Sequence, residues 1–233
     1  MAGRFADALK AARQLESNVG PHVKQMPMLE GFMPTPILVL VRFRRWEEIL
    51  KSSEPDRAMP VTNALWHYAR GMAYAATGKT EAAEAELKTF AAAAKAIRAE
   101  TPFGLNNTGS VLPIAENVLS ARIALARNDK RAAIELLRKA VVAEDALNYD
   151  EPPGWDAPVR ESLGGALLLN GDYEEAEKVF RADLEKHPRS GRSLFGLSES
   201  LKAQGKEPAS RMVQREFESA WKNADAKLRV EDL

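Results

Sequence analysis

The sequence predicts an all-α fold, a solenoid of antiparallel helix pairs stacked side by side. Three observations carry that expectation. A turn-plus-helix pattern recurs six times, as GRFADA from Gly3, RRWEEI from Arg44, GKTEAA from Gly78, NDKRAA from Asn128, GDYEEA from Gly171 and GKEPAS from Gly205. The segments after these turns place apolar residues at alternating steps of four and three, as in Ala83, Leu87, Phe90, Ala94 and Ile97, which is one face of a helix. No stretch alternates with period two for long enough to suggest a sheet.

Each turn has a physical reading. Glycine or asparagine tolerates the left-handed conformation that ends one helix and reverses the chain. An acidic residue usually follows in the first turn of the next helix, where the helix dipole favours it. A small residue comes next, at Ala8, Ala83, Ala133 or Ala176, where two helices must approach closely. The helices before the turns, such as Trp66 to Ala76 and Leu163 to Leu169, are apolar on more than one side, as a helix sandwiched between neighbours requires.

The elements follow in order. Residues 1–19 read as a lone second helix with Phe5, Ala8, Leu9, Ala12 and Leu15 on one face. With no partner in front of it, that face is expected to be bare, the chain to be the later part of something longer, and residues 1–20 to offer a surface for self-association. A Pro-rich connector spans 20–35, and a short pair spans 35–51 with Phe43 and Arg44 at its bend. Full pairs are expected over 61–99, 111–142, 157–186 and 189–223, with insertions at 100–110 and 143–156. Arg211, Arg215, Glu218 and Lys222 on the last helix suit an outer, capping face.

Composition narrows the function. Lys+Arg and Asp+Glu are both 33, so no field of one sign surrounds the molecule, which argues against non-specific nucleic-acid binding. There is no cysteine, which removes disulfide and thiolate chemistry. The longest apolar run, Ile37 to Val41, is far short of the roughly 20 residues of a membrane helix. Arg4, Asp7, Lys10 and Arg13 break any leader-like apolar segment, so the expected compartment is the cytoplasm if Met1 is the true start.

The unit Pro158 to Pro188 resembles the tetratricopeptide repeat (TPR) family through Leu163, Gly164, Leu167, Gly171, Ala176, Phe180 and Pro188. The segment from Trp66 to Phe90 is similar to it through Gly71, Tyr74, Gly78, Ala83 and Leu87. Two of the intervals between turns equal the 34-residue period of that family. The resemblance covers nearly the whole chain and implies a right-handed superhelix with a concave binding face. The runs PMLEGFMPTPILVLVRFRRWEEIL, WHYARGMAYAATG and YDEPPGW also resemble the C-terminal half of longer bacterial TPR proteins of poorly defined role.

By the phase of that family, Leu65, Tyr68, Met72, Val118, Arg122, Glu161, Leu168, Ser193 and Leu197 face the concave groove, with Tyr68 and Met72 more exposed to the groove than Trp66 and Tyr74. Chaperone-binding members hold a carboxylate in a clamp of Lys, Arg and Asn. Tyr68, Met72, Val118, Glu161 and Gly165 stand at those positions here, which argues against that partner. The resemblance implies a non-catalytic scaffold for a protein or peptide partner.

The acidic insertion offers a second candidate. Asp150, Glu151, Trp155 and Arg160 could form a rim site for a basic peptide or a cation; the plainer reading is a solvated loop stiffened by Pro152-Pro153, with Asp156 capping the next helix. The alternative function is accordingly a ligand-binding or hydrolytic pocket between the groove and residues 144–156. His67 with a neighbouring carboxylate could do acid–base work, though a packed histidine is the plainer reading. His22, His67 and His187 lack metal-ligand spacing, and there is no Gly-rich phosphate loop, so no metal, cofactor or catalytic residue is expected.

Overall fold

The computed structural model describes residues 3–233; residues 1 and 2, the expected start of the first helix, lie outside the described residues. The described chain is an α-solenoid. It runs α1 (Phe5–Val19), α2 (Thr35–Arg42), α3 (Trp46–Lys51), α4 (Pro60–Ala76), α5 (Thr80–Ala96), α6 (Thr108–Ala126), α7 (Lys130–Asp145), α8 (Val159–Asn170), α9 (Tyr173–Lys186), α10 (Gly191–Ala203) and α11 (Glu207–Ala220). Short 3-10 turns at Gly20–His22 and Pro27–Phe32 make up the Pro-rich connector. None of the described helices is long and apolar enough to cross a membrane.

All six repeat turns adopt the left-handed conformation. Their first residues have φ of 64° at Gly3, 57° at Arg44, 75° at Gly78, 61° at Asn128, 92° at Gly171 and 72° at Gly205. Arg44 is the exception in chemistry, because a side chain in that conformation costs roughly 1–2 kcal/mol. Its side chain reappears below at the centre of the inner face.

Close packing explains the small residues. Ala83, Ala133 and Ala176 have no exposed surface. The Phe180 ring is also fully buried. A Cβ added at Gly164 of α8 would lie 2.4 Å from that ring, and one at Gly196 of α10 would lie 2.2 Å from it. The main core runs continuously from α4 to α10. A second, smaller cluster of Leu40, Ile49, Ala69 and Ala73 receives Phe5 and Leu9 from α1. The face of α1 expected to be bare is therefore half-buried, with Phe5 5.2 Å from the Phe43 ring.

Three helix starts are capped from a distance, that of α4 by Glu30, which accepts from Thr62 N at 2.9 Å. The α1 N-terminus has no capping side chain of its own. Asp225, beyond α11, accepts hydrogen bonds from Phe5 N at 2.6 Å and Ala6 N at 2.9 Å, while its own N–H donates to Gly3 O at 3.1 Å. Gly3 lies against the Trp221 ring, where a Cβ would come within 2.5 Å. The two ends of the described solenoid thus touch. The α8 start is capped by Glu144 of α7, whose carboxylate accepts from Val159 N at 3.2 Å. Asp156, the expected cap, does not serve, because α8 begins after Pro158 and has no side-chain cap of its own.

The two insertions clasp each other. Pro102–Phe103 pairs antiparallel with Asn106–Asn107. Asn106 exchanges bonds with Asn148, accepting from its N–H at 2.8 Å and donating to its carbonyl at 3.2 Å. Asp150 accepts from Leu105 N at 2.6 Å. The acidic insertion is therefore pinned to the molecule rather than freely solvated.

Enlarging a residue at a tight crossing tests the packing. Ala176→Leu should destabilise the protein by about 1–3 kcal/mol through overpacking, read as a lower urea midpoint at constant slope. An unchanged midpoint would contradict the crossing.

Candidate functional site

The first helices of successive pairs converge on a common interior. Val41 and Arg42 of α2, Tyr68 and Met72 of α4, Val118 and Arg122 of α6, Glu161 and Gly165 of α8, and Arg192 of α10 share one hollow. At its centre Arg42 donates two hydrogen bonds to Glu161, at 2.5 and 3.0 Å. Ser190 Oγ donates to Glu161 Oε1 at 2.9 Å, and Arg192 Nε lies 3.3 Å from Glu161 Oε2. Burial works against the Glu161 carboxylate, but Arg42, Arg192 and Ser190 outweigh it and hold the carboxyl below its usual range.

This hollow is occupied by the chain itself. Residues Val230–Asp232 form a single 3-10 turn lying on α8, and Leu233 follows it into the main core. Gly165 makes room, since a Cβ there would be 2.7 Å from Leu233 Cβ. Three arginines hold the segment. Arg44 donates to Leu233 O at 3.1 Å and lies 3.5 Å from Asp232 Oδ1. Arg122 donates to Glu231 O at 3.5 Å, and Arg192 donates to Asp232 O. Burial first, then repulsion from Arg122 and Arg192, pushes Arg44 down. The cradle thus carries more positive charge than the Asp232 side chain alone offsets.

The residues expected on the concave face divide into two sets. Tyr68, Met72, Val118, Arg122 and Glu161 line the occupied hollow. Leu65, Ser193 and Leu197 offer no surface, being at most 3% exposed. Leu168 is also buried and joins the main core. Tyr68 and Met72 line this hollow and Trp66 and Tyr74 do not, but the expected exposure of Tyr68 is a correction. It is buried, because the Trp155 ring packs edge-on against it at 5.7 Å and Phe90 lies at 6.4 Å.

The rim group divides as well. Asp150, Glu151 and Trp155 line a second, larger cavity of about 570 Å³. Arg160 turns away from it, pairing with Asp145 through bonds of 2.7 and 2.5 Å. His67 finds a carboxylate, Glu86, 2.6 Å from Nδ1, and Arg70 donates to the same carboxylate at 2.7 Å. Neither His67 nor Glu86 lines either of these two hollows. Among the described residues no group of three His, Cys, Asp or Glu side chains could hold a metal ion.

Arg42, Arg44 and Arg192 are the residues that sequence reasoning missed as site residues. The tract VRFRRW sets Arg42, Arg44 and Arg45 among aromatics, as a nucleic-acid contact would, but the plainer reading is solvated arginines at a repeat turn, since Glu47 and Glu48 follow at once. Arg45 does pair locally with Glu48. Arg42 and Arg44 instead point inward to partners far along the chain. The one available signal was a non-glycine residue at the αL position of a turn that elsewhere uses glycine or asparagine.

Comparison with solved structures gives the same architecture. A Podosopora anserina protein described as a putative kinesin light chain with nearly identical TPR-like repeats aligns in two crystal structures. One of them, of a variant carrying a single glutamine-to-methionine substitution, has a TM-score of 0.50 at 19% identity, covering 94% of this chain and 95% of that one. The other has a TM-score of 0.49 at 19% identity, covering 94% and 96%. The chain has the fold of a TPR-like repeat protein. No protein-family model and no curated protein matches it.

Glu144 gives a pH test of the α7–α8 junction. Burial pushes its carboxyl up to about 7, against the opposing pull of Val159 N–H and Arg160. A carboxyl raised in the folded state binds its proton more tightly than in the unfolded chain, so its contribution makes stability fall as pH rises from about 4.5 to about 7. Glu144→Gln should flatten that part of the urea stability profile. A profile of unchanged slope would contradict the assignment.

Proposed function

We propose that this protein is a non-catalytic scaffold whose inner face receives a short segment of a protein partner, and that its own residues 229–233 mark the place. One observation carries this reading: a short stretch of chain already lies in the hollow, held mainly through its main-chain oxygens by Arg44, Arg122 and Arg192. Fixed donors for the main chain, with apolar anchors such as Val230 and Leu233 between them, suit a short turn-forming peptide. Arginine suits the task because its fork of N–H donors is pre-organised for oxygen acceptors. Stacked helix pairs provide such faces by geometry.

A partner segment must displace the resident one. Binding in trans is therefore weakened by the fraction of time the hollow is already filled. Detaching the resident segment should strengthen binding without altering the cradle.

A fluorescein-labelled peptide copying residues 225–233 tests this by anisotropy. The full chain carrying Val230→Gly and Leu233→Gly should bind it at least tenfold more tightly than the unaltered chain. Adding Arg44→Gln to that variant should reverse the gain, with circular dichroism confirming that the helices remain. Absence of binding to both chains would overturn the reading, as would equal binding to both.

A further inference from the structure

We propose that the larger cavity is a second binding site, for an amphiphilic organic cation with an apolar body and an ammonium-type head. At about 570 Å³ it falls within the range of sites that take small organic molecules. It lies between α1, α2, the 150–156 loop and the Trp221 side chain, with Leu38, Val39, Phe43, Phe103, Trp155 and Trp221 supplying apolar wall.

The charges decide the class of ligand. Three arginines touch the cavity, and they already face two carboxylates, one of them shared. Arg42 and Arg192 turn onto Glu161, and Arg4 pairs with Asp7. The acidic side chains of the loop are not matched in this way. Asp150 accepts only main-chain N–H bonds, from Leu105 and Glu151, and Glu151 accepts from the Tyr149 hydroxyl. Neutral donors of this kind leave the negative charges in place.

Asp156 is the third of them. Its side chain is exposed and lines the cavity. Desolvation pushes its carboxyl up even though Arg42 attracts it. A cation in the cavity would add to the attraction that Arg42 exerts on this carboxylate. Trp155 and Trp221 add aromatic wall beside these carboxylates.

Three ten-carbon probes of equal length, each kept below its micelle concentration, separate shape from charge: decylammonium, decanol and decanoate. Trp155 and Trp221 line the cavity, so quenching of tryptophan fluorescence reports entry, and calorimetry gives the affinities. Decylammonium should bind at least tenfold more tightly than decanol, and decanoate more weakly than either. Asp156→Asn should abolish the preference for ammonium and leave decanol unchanged. Ala8→Trp, which fills the cavity from α1, should remove binding of all three.

Equal affinity for the three probes would overturn the charge assignment. Binding that survives Ala8→Trp, or no binding of any probe, would overturn the site. Either failure would leave the peptide reading standing, because Arg44 and Arg122 line only the other hollow.

Discussion

The buried pair of Arg42 and Glu161 is the constraint on which the remaining arrangement depends. In an open repeat solenoid each unit touches only its neighbours, and the interior is a groove open to water. Here a bidentate pair joins α2 to α8 across 119 positions of sequence. Burying two such charges is expensive, and the cost is met only where geometry is good and the remaining polar atoms find partners. Ser190 and Arg192 supply those partners from the α10 side. Both hollows are lined by Arg42, Trp155 and Arg192, so this cluster is the partition between them.

Closure of the described ends follows the same logic. The first turn of α1 needs acceptors for its N–H groups, and Asp225 provides them from beyond the last helix. Attraction from the Phe5 and Ala6 N–H groups holds the Asp225 carboxyl below its usual range. Trp221 is fixed by its indole N–H on Ala226 O at 2.8 Å and covers Gly3. The stretch after Asp225 then reaches the inner face, where the arginine cradle holds it. The convergence of α2, α8 and α10, the contact of the ends and the occupied hollow are thus parts of one closed arrangement.

The repeat architecture was legible because its requirements are local. A left-handed turn demands glycine, asparagine or a strained residue, and the sequence shows one of these at all six turns. Close crossings demand small residues, and Ala83, Ala133 and Ala176 meet that demand. The inner face was only half legible. Periodicity identifies which residues of a helix face inward, but it carries no information about what fills the interior. Tyr68 does lie on the inner side, yet Trp155 from an irregular loop covers it. Glu161 reads as a polar groove residue because its partner stands 119 positions away and leaves no spacing signature. The resident segment at 229–233 was invisible for the same reason, since its contacts run to Arg44, Arg122 and Arg192 on three different repeats.

A double-mutant cycle on Arg42 and Glu161 tests the central claim most directly. Arg42→Met, Glu161→Gln and the combined variant would be compared with the unaltered chain by urea unfolding. Each single change strands a buried polar partner and should cost about 3–5 kcal/mol. The double variant should cost less than the two added together, by about 2–3 kcal/mol, as expected of residues in one network. Additive losses, or single losses below about 1 kcal/mol, would contradict the account, because the pair would then not be what joins the two halves of the solenoid.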